Sequence, residues 1–141
     1  MIPDDWWTSG YCSSFAAALK RRYGGELWAG VNHSERYPAD DELYHAYCVI
    51  DGLAYDADGA HSIEEASDVS GGRYPIPDMD INLGVIMLWL KVDEAWFEKY
   101  HQDYSPDHFV AVNRYIAHHP ELFAKLKRVG KKKKLSETEV G

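Results

Sequence analysis

The dipeptide Asp51-Gly52 stands between two strand-like runs, residues 43–50 and 53–58. Asp-Gly in that setting is a strong signal for a two-residue hairpin turn, because both turn positions need positive φ. If the two residues occupy the turn, Ile50 faces Leu53 and paired residue numbers sum to 103. Asp56 is then expected opposite Tyr47 and Asp58 opposite His45. Side chains alternate between faces along a strand, so His45, Tyr47, Asp56 and Asp58 should share one face and Cys48 should point the other way.

Upstream, Cys12, Phe15, Ala16, Leu19 and Tyr23 recur at helical spacing, which predicts an amphipathic helix over residues 12–23. Lys20, Arg21 and Arg22 suit the negative end of its dipole, Gly24 and Gly25 supply a stop, and Thr8 or Ser9 is a candidate N-cap. Residues 26–32 read as a strand and 33–42 as a surface loop. Residues 57–80 read as turn-rich, with a helical turn at 63–67. Residues 83–92 read as a buried strand, although a helix fits almost as well. Helices are expected over 93–101 and 106–118, capped by Asp93 and Ser105, and from Pro120 to about residue 129.

The expected organisation is one domain over residues 1–130, followed by a basic, disordered tail over 131–141. The chain carries -8 formally, but residues 1–124 hold 21 acidic and 8 basic side chains, leaving -13 on the body. A surface of that sign repels phosphate backbones, so nucleic acid is not an expected partner except through the lysine run of the tail. Two cysteines are too few for a disulfide framework, and the N-terminus lacks signal-peptide character. No apolar run approaches the roughly 20 residues of a bilayer span. A reduced, cytoplasmic setting without membrane insertion is therefore the expectation, with the oligomeric state open.

Cys12 falls at the first turn of its helix, where unpaired N–H groups and the dipole favour a thiolate. The same groups can donate to the oxyanion formed when that thiolate attacks a carbonyl. A nucleophilic thiol needs a base, and the base needs an orienting acid. His45 offers the first. Asp56, diagonal to His45, and Asp58, directly across, are both candidates for the second. Trp7, Ser9, Gly10 and Tyr11 lie just before Cys12 and are candidates for a substrate groove and oxyanion site, with Gly10 letting a substrate backbone pass. Trp6 and Trp7 either wall that groove or staple the N-terminal segment to the core. Trp89, Trp96, Phe97, Phe109 and Tyr115 read as packing residues.

Other chemistries have weaker support. His33, His45, Cys48, Asp56, Asp58 and His61 are possible metal ligands, but none shows zinc-type spacing, and His45 and Cys48 should face opposite ways. His118-His119 reads as a helix end. Gly71-Gly72 lacks the residues of a phosphate-binding loop. No metal and no cofactor is expected.

The stretch GYCSSFAAALKRRYGGELWAG followed by HAYCVIDGLAYDADG resembles the core of transglutaminase-like, papain-type cysteine enzymes over residues 9–59. The shared features are a Gly-x-Cys helix start with Phe-Ala and Leu, His-Ala on a strand, and Asp after a Gly turn. The resemblance implies Cys12 as nucleophile, His45 as general base and then acid, and Asp56 as orienting carboxylate. It also implies an α+β fold in which the catalytic helix packs on an antiparallel sheet, with additional C-terminal helices. The short segment between Asn32 and Leu43 implies a minimal version. The expected activity is cysteine-dependent acyl transfer on an amide, most simply hydrolysis of a protein or peptide substrate as a peptidase, isopeptidase or deamidase. A non-catalytic acidic binding or inhibitor module is the competing expectation. The same chemistry used as an intracellular effector or toxin is a third.

Overall fold

The computed structural model describes residues 6–7, 11–34, 42–67, 85–101 and 103–129. The fold is mixed α+β, a helix followed by a five-stranded antiparallel sheet and further helices. Helix α1 (Cys12–Tyr23) leads into β1 (Glu26–Ser34), β2 (Glu42–Ile50), β3 (Leu53–Asp56), β4 (Gly59–Ser62) and the short α2 (Ile63–Ser67). Strand β5 (Val85–Val92), α3 (Glu94–Tyr100), a 3-10 turn (Pro106–His108), α4 (Phe109–His118) and a second 3-10 turn (Pro120–Leu122) follow. The strand order is β4-β3-β2-β1-β5.

The Asp51-Gly52 turn forms as its residues require, with φ of 51° and 82°, the paired positive values of a type I′ hairpin. Ile50 pairs with Leu53, Val49 with Ala54 and Cys48 with Tyr55, the register the turn predicts. Beyond Asp56 the chain departs from expectation. It turns again through Ala57 and Asp58 into β4, where Asp56 pairs with Gly59 and Ala54 with His61. The cause is local: the Asp58 N–H donates to Asp56 Oδ1 (2.9 Å), an Asx-type turn that competes with strand extension. Asp58 therefore sits exposed in a tight turn rather than across from His45.

Helix α1 is more enclosed than an amphipathic surface helix. All residues from Cys12 to Leu19 are buried, Ser13 and Ser14 completely. Ala16, Ala17 and Ala18 present little bulk, so other elements approach closely on several sides. The sheet packs against one side and α4 against another. Ser13 Oγ bonds His101 Nδ1, and Ser14 Oγ bonds His108 Nδ1 (3.0 Å) while accepting from the Ser105 N–H (3.0 Å). These bonds satisfy two hydroxyls whose burial would otherwise be costly. They also tie the segment between α3 and α4 to the first turn of α1. The N-cap position is Tyr11, whose side chain makes no capping bond; Thr8 and Ser9 lie outside the described residues.

Several boundaries differ from the sequence expectation. Strand β1 continues through His33 and Ser34 and β2 starts at Glu42, because β5 pairs along β1 as far as Ser34 with Val85. Strand β5 lies at the sheet edge with Leu88, Trp89, Leu90 and Val92 only half-buried and Lys91 exposed. Its strand character follows from that pairing. The expected helix after Pro120 shrinks to the 3-10 turn. Asp93 and Ser105 do cap as expected, accepting from Trp96 N–H (2.9 Å) and Asp107 N–H (3.2 Å). The basic segment 131–141 lies outside the described residues. Among the described residues no helix is long and apolar enough to cross a membrane.

Alternation along β2 divides the core. Ala46, Cys48 and Ile50 join the main cluster around Phe15, Leu19, Phe97, Val112 and Phe123. Tyr47 and Val49 pack with Ala54, Ala66, Ile63 and Trp89 in a smaller one. The passage from α1 to β1 depends on glycine. Gly25 has φ of 91°, and a Cβ there would lie 2.5 Å from Val49 O and 2.7 Å from Ile50 Cγ1. We predict that Gly25→Ala lowers unfolding free energy by at least about 2 kcal/mol, from left-handed strain and the backbone clash. Gly52→Ala, with open space around its Cβ position, should cost less in the same denaturant titration.

Candidate active site

Three elements meet at the start of α1. Cys12 is the first residue of that helix, His45 lies on β2, and Asp56 ends β3. His45 Nε2 donates to Asp56 Oδ2 (2.9 Å). The Cys12 thiol interacts with the His45 ring closely enough to help raise it. A register irregularity in the β1–β2 ladder falls beside this point, where Gly30 pairs with His45 but Val31 pairs with Leu43. Such bulges bend a strand and re-aim its side chains.

Asp56 is nearly fully buried yet well supplied with donors. His45 occupies Oδ2, while Oδ1 accepts from the Asp58 N–H (2.9 Å) and from His61 Nε2 (2.8 Å). Tyr47 stands edge-on to both imidazoles, its ring 4.7 Å from that of His45 and 5.9 Å from that of His61. On the far side, Tyr115 of α4 donates to Ala57 O (2.9 Å), fixing the turn that follows Asp56.

The electrostatics follow from these contacts. Burial opposes charge on the His45 ring. Hydrogen bonds to Asp56 and Cys12, with the Coulombic pull of both, outweigh it and raise the ring from 6.5 to about 9. Burial likewise disfavours a charged Asp56, but the bonds from His45 and His61 prevail and hold its carboxyl well below the usual carboxylate range. His61 is raised, chiefly by its bond to Asp56. Cys48 is a different kind of thiol. It bonds Gly24 O (3.3 Å) in the core, and burial pushes it up to about 12. Both cysteines are free.

The structure thus brings Cys12, His45 and Asp56 together and leaves Asp58 apart, its side chain exposed in the turn. Of the flanking candidates, Trp7 is 2% exposed and packs against Phe15, Tyr11 and His108. Trp6 is 44% exposed. Tyr11 is half-buried and stacks on His108 at 4.6 Å; Ser9 and Gly10 lie outside the described residues. His61 was visible in the sequence only as a possible metal ligand. The missing signal was the second hairpin, whose register places His61 diagonally from Asp56, the same relation that Asp56 bears to His45. Among the described residues no group of three or more His, Cys, Asp or Glu side chains is arranged to hold a metal ion. Cavities of about 200 and 420 Å³ open beside the later turns of α1, lined by Arg21, Arg22 and Phe109 in one case and by Tyr23, Gly25 and Lys125 in the other. Neither is lined by Cys12, His45 or Asp56.

No family model, no curated protein and no solved structure matches this chain.

The direction of each shift sets a stability profile. His45 and His61 bind protons more tightly when folded, so their contribution is complete below pH 6.5 and is lost as pH rises, for His45 through about 9. His101 is lowered, mainly by burial, so its contribution is lost as pH falls below 6.5. The depressed Asp56 adds a further loss at still lower pH. Stability should therefore be greatest near pH 6–7. The alkaline decline, on the order of 3 kcal/mol from His45, should be smaller in His45→Gln when unfolding is followed across pH.

Proposed function

We propose that this chain is a cysteine-dependent acyl-transfer enzyme of the transglutaminase-like, papain-type kind, using Cys12, His45 and Asp56 to hydrolyse an amide. The observation that carries the reading is the buried His45 Nε2–Asp56 Oδ2 bond (2.9 Å), on a ring that also interacts with the Cys12 thiol. These contacts link a sulfur at a helix start, a base and a buried carboxylate that holds the base. An imidazole that keeps its proton to about 9 is available at neutral pH as the acid that a departing amine needs.

In this mechanism the thiolate attacks the amide carbon, and the carbonyl π electrons move to oxygen. The first bond within α1 runs from the Phe15 N–H to Tyr11 O (3.2 Å). The amides of Cys12, Ser13 and Ser14 therefore precede the helix's own hydrogen bonding and are suited to meet an oxyanion. The imidazolium then gives its proton to the departing amine, leaving a thioester on Cys12. Water attacks next, His45 takes its proton, and collapse releases the carboxylic acid and the thiolate. An amine in place of water would give a crosslink instead.

A second reading is an acidic binding module without catalysis. It is favoured by the -13 carried by residues 1–124 and by a Cys12 only 2% exposed, since an enzyme must open that site to substrate. The two readings differ in thiol chemistry. We predict that iodoacetamide labels Cys12 at neutral pH faster than an ordinary thiol. In His45→Ala the neutral-pH rate should fall roughly tenfold or more, with Cys48 unlabelled throughout. Cys12 labelling as an ordinary thiol in both proteins would remove the enzyme reading and leave the binding module.

A further inference from the structure

Asp56 can orient His45 only if its own carboxylate is prevented from rotating. Its Oδ1 is held from two directions, by the Asp58 N–H (2.9 Å) and by His61 Nε2 (2.8 Å). The first bond is local and comes with the turn. The second comes from β4, and its geometry is fixed from outside the triad: His61 Nδ1 lies 3.3 Å from Glu65 Oε1 on α2, one helical turn further along the chain. The Tyr47 ring on β2 supports the imidazole edge-on. The charged groups facing His61 are therefore Asp56 from β3 and Glu65 from α2. With Asp56 and Glu65 as acceptors on either side of the ring, the path of polar contacts runs His45–Asp56–His61–Glu65.

We infer that His61 is a positioning residue of the Cys12 site, donating from Nε2 to hold the Asp56 carboxylate in the rotation that turns Oδ2 to His45. The inference rests on the Cys12–His45–Asp56 reading and adds to it the residue that sets its outer end. Two effects of His61 have opposite signs. As a hydrogen-bond donor it keeps Asp56 on His45 and supports the thiolate. As a positive charge it competes with His45 for Asp56 and weakens that support. Removing a residue that acts only as a charge would make Cys12 more reactive at neutral pH; removing one that positions makes it less reactive.

The test is the pH profile of Cys12 alkylation by iodoacetamide in the wild type, His61→Ala and His61→Gln, with thermal unfolding recorded for each. Gln can place an amide donor near the position of Nε2 while removing the charge. The expected result is a neutral-pH rate roughly tenfold lower in His61→Ala, as for loss of an orienting partner, with the rate restored in His61→Gln. A folded His61→Ala that labels as fast as the wild type, or faster, overturns the inference while the triad stands. A wild-type Cys12 that labels as an ordinary thiol sinks the underlying reading instead. Should His61→Ala not fold, histidine-labelled 15N NMR of the wild type decides. A protonated, slowly exchanging His61 Nε2 is expected, and a bare Nε2 with the proton on Nδ1 alone overturns the assignment.

Discussion

A carboxylate taken out of water at the end of a short strand is the constraint around which this structure is arranged. Asp56 is 5% exposed, and an unpaired charge at that depth would cost several kcal/mol. Three donors from three parts of the chain resolve it: the His45 ring on β2, the His61 ring on β4 and the Asp58 backbone in the turn between β3 and β4. Each donor in turn fixes something else. The Asp58 bond ends β3, the His61 bond fastens β4 to it, and the His45 bond sets the ring that meets Cys12. Loss of any one strands part of a buried charge, so fold and site share the same hydrogen bonds.

The helix bearing Cys12 shows a related economy. Three consecutive residues, Cys12, Ser13 and Ser14, each meet a histidine: His45, His101 and His108. The first comes from the sheet and the other two from the segment leading into α4. Small side chains along α1 let the sheet and α4 close on it from different sides, burying Phe15 and Leu19 completely. The Arg21–Glu94 pair (2.9 Å) also links α1 to α3, but with Arg21 57% exposed it adds little to stability. The position of Cys12 therefore depends chiefly on packing and buried polar bonds, which salt does not screen.

Much of this arrangement was legible where local rules operate. The Asp51-Gly52 turn specified its register, the spacing of Cys12, Phe15 and Leu19 specified α1, and Asp93 and Ser105 marked two starts. Period-two alternation placed His45, Asp56 and Asp58 on one face. The choice between Asp56 and Asp58 was not legible, because it turned on an Asx-type turn that closes after Asp56 and is hard to distinguish in sequence from continuing strand. Strand β4 and the place of His61 were lost with it. The burial of Ser13 and Ser14 was hidden for another reason: their partners, His101 and His108, are distant in sequence, and no periodicity in α1 points to them. The 3-10 turn at Pro120 fell short of a helix, although its proline stands at the expected first position.

The central claim is that Cys12, His45 and Asp56 behave as one charge unit rather than as three buried side chains that happen to touch. NMR titration of the His45 ring tests this most directly, in the wild type and in Cys12→Ala. Burial alone would lower the ring below its ordinary 6.5, whereas the bonds from Asp56 and Cys12 raise it to about 9. The account predicts a wild-type ring that stays protonated well above 6.5 and titrates at lower pH once the thiol is removed. A ring that titrates at or below 6.5, unchanged in Cys12→Ala, would contradict it.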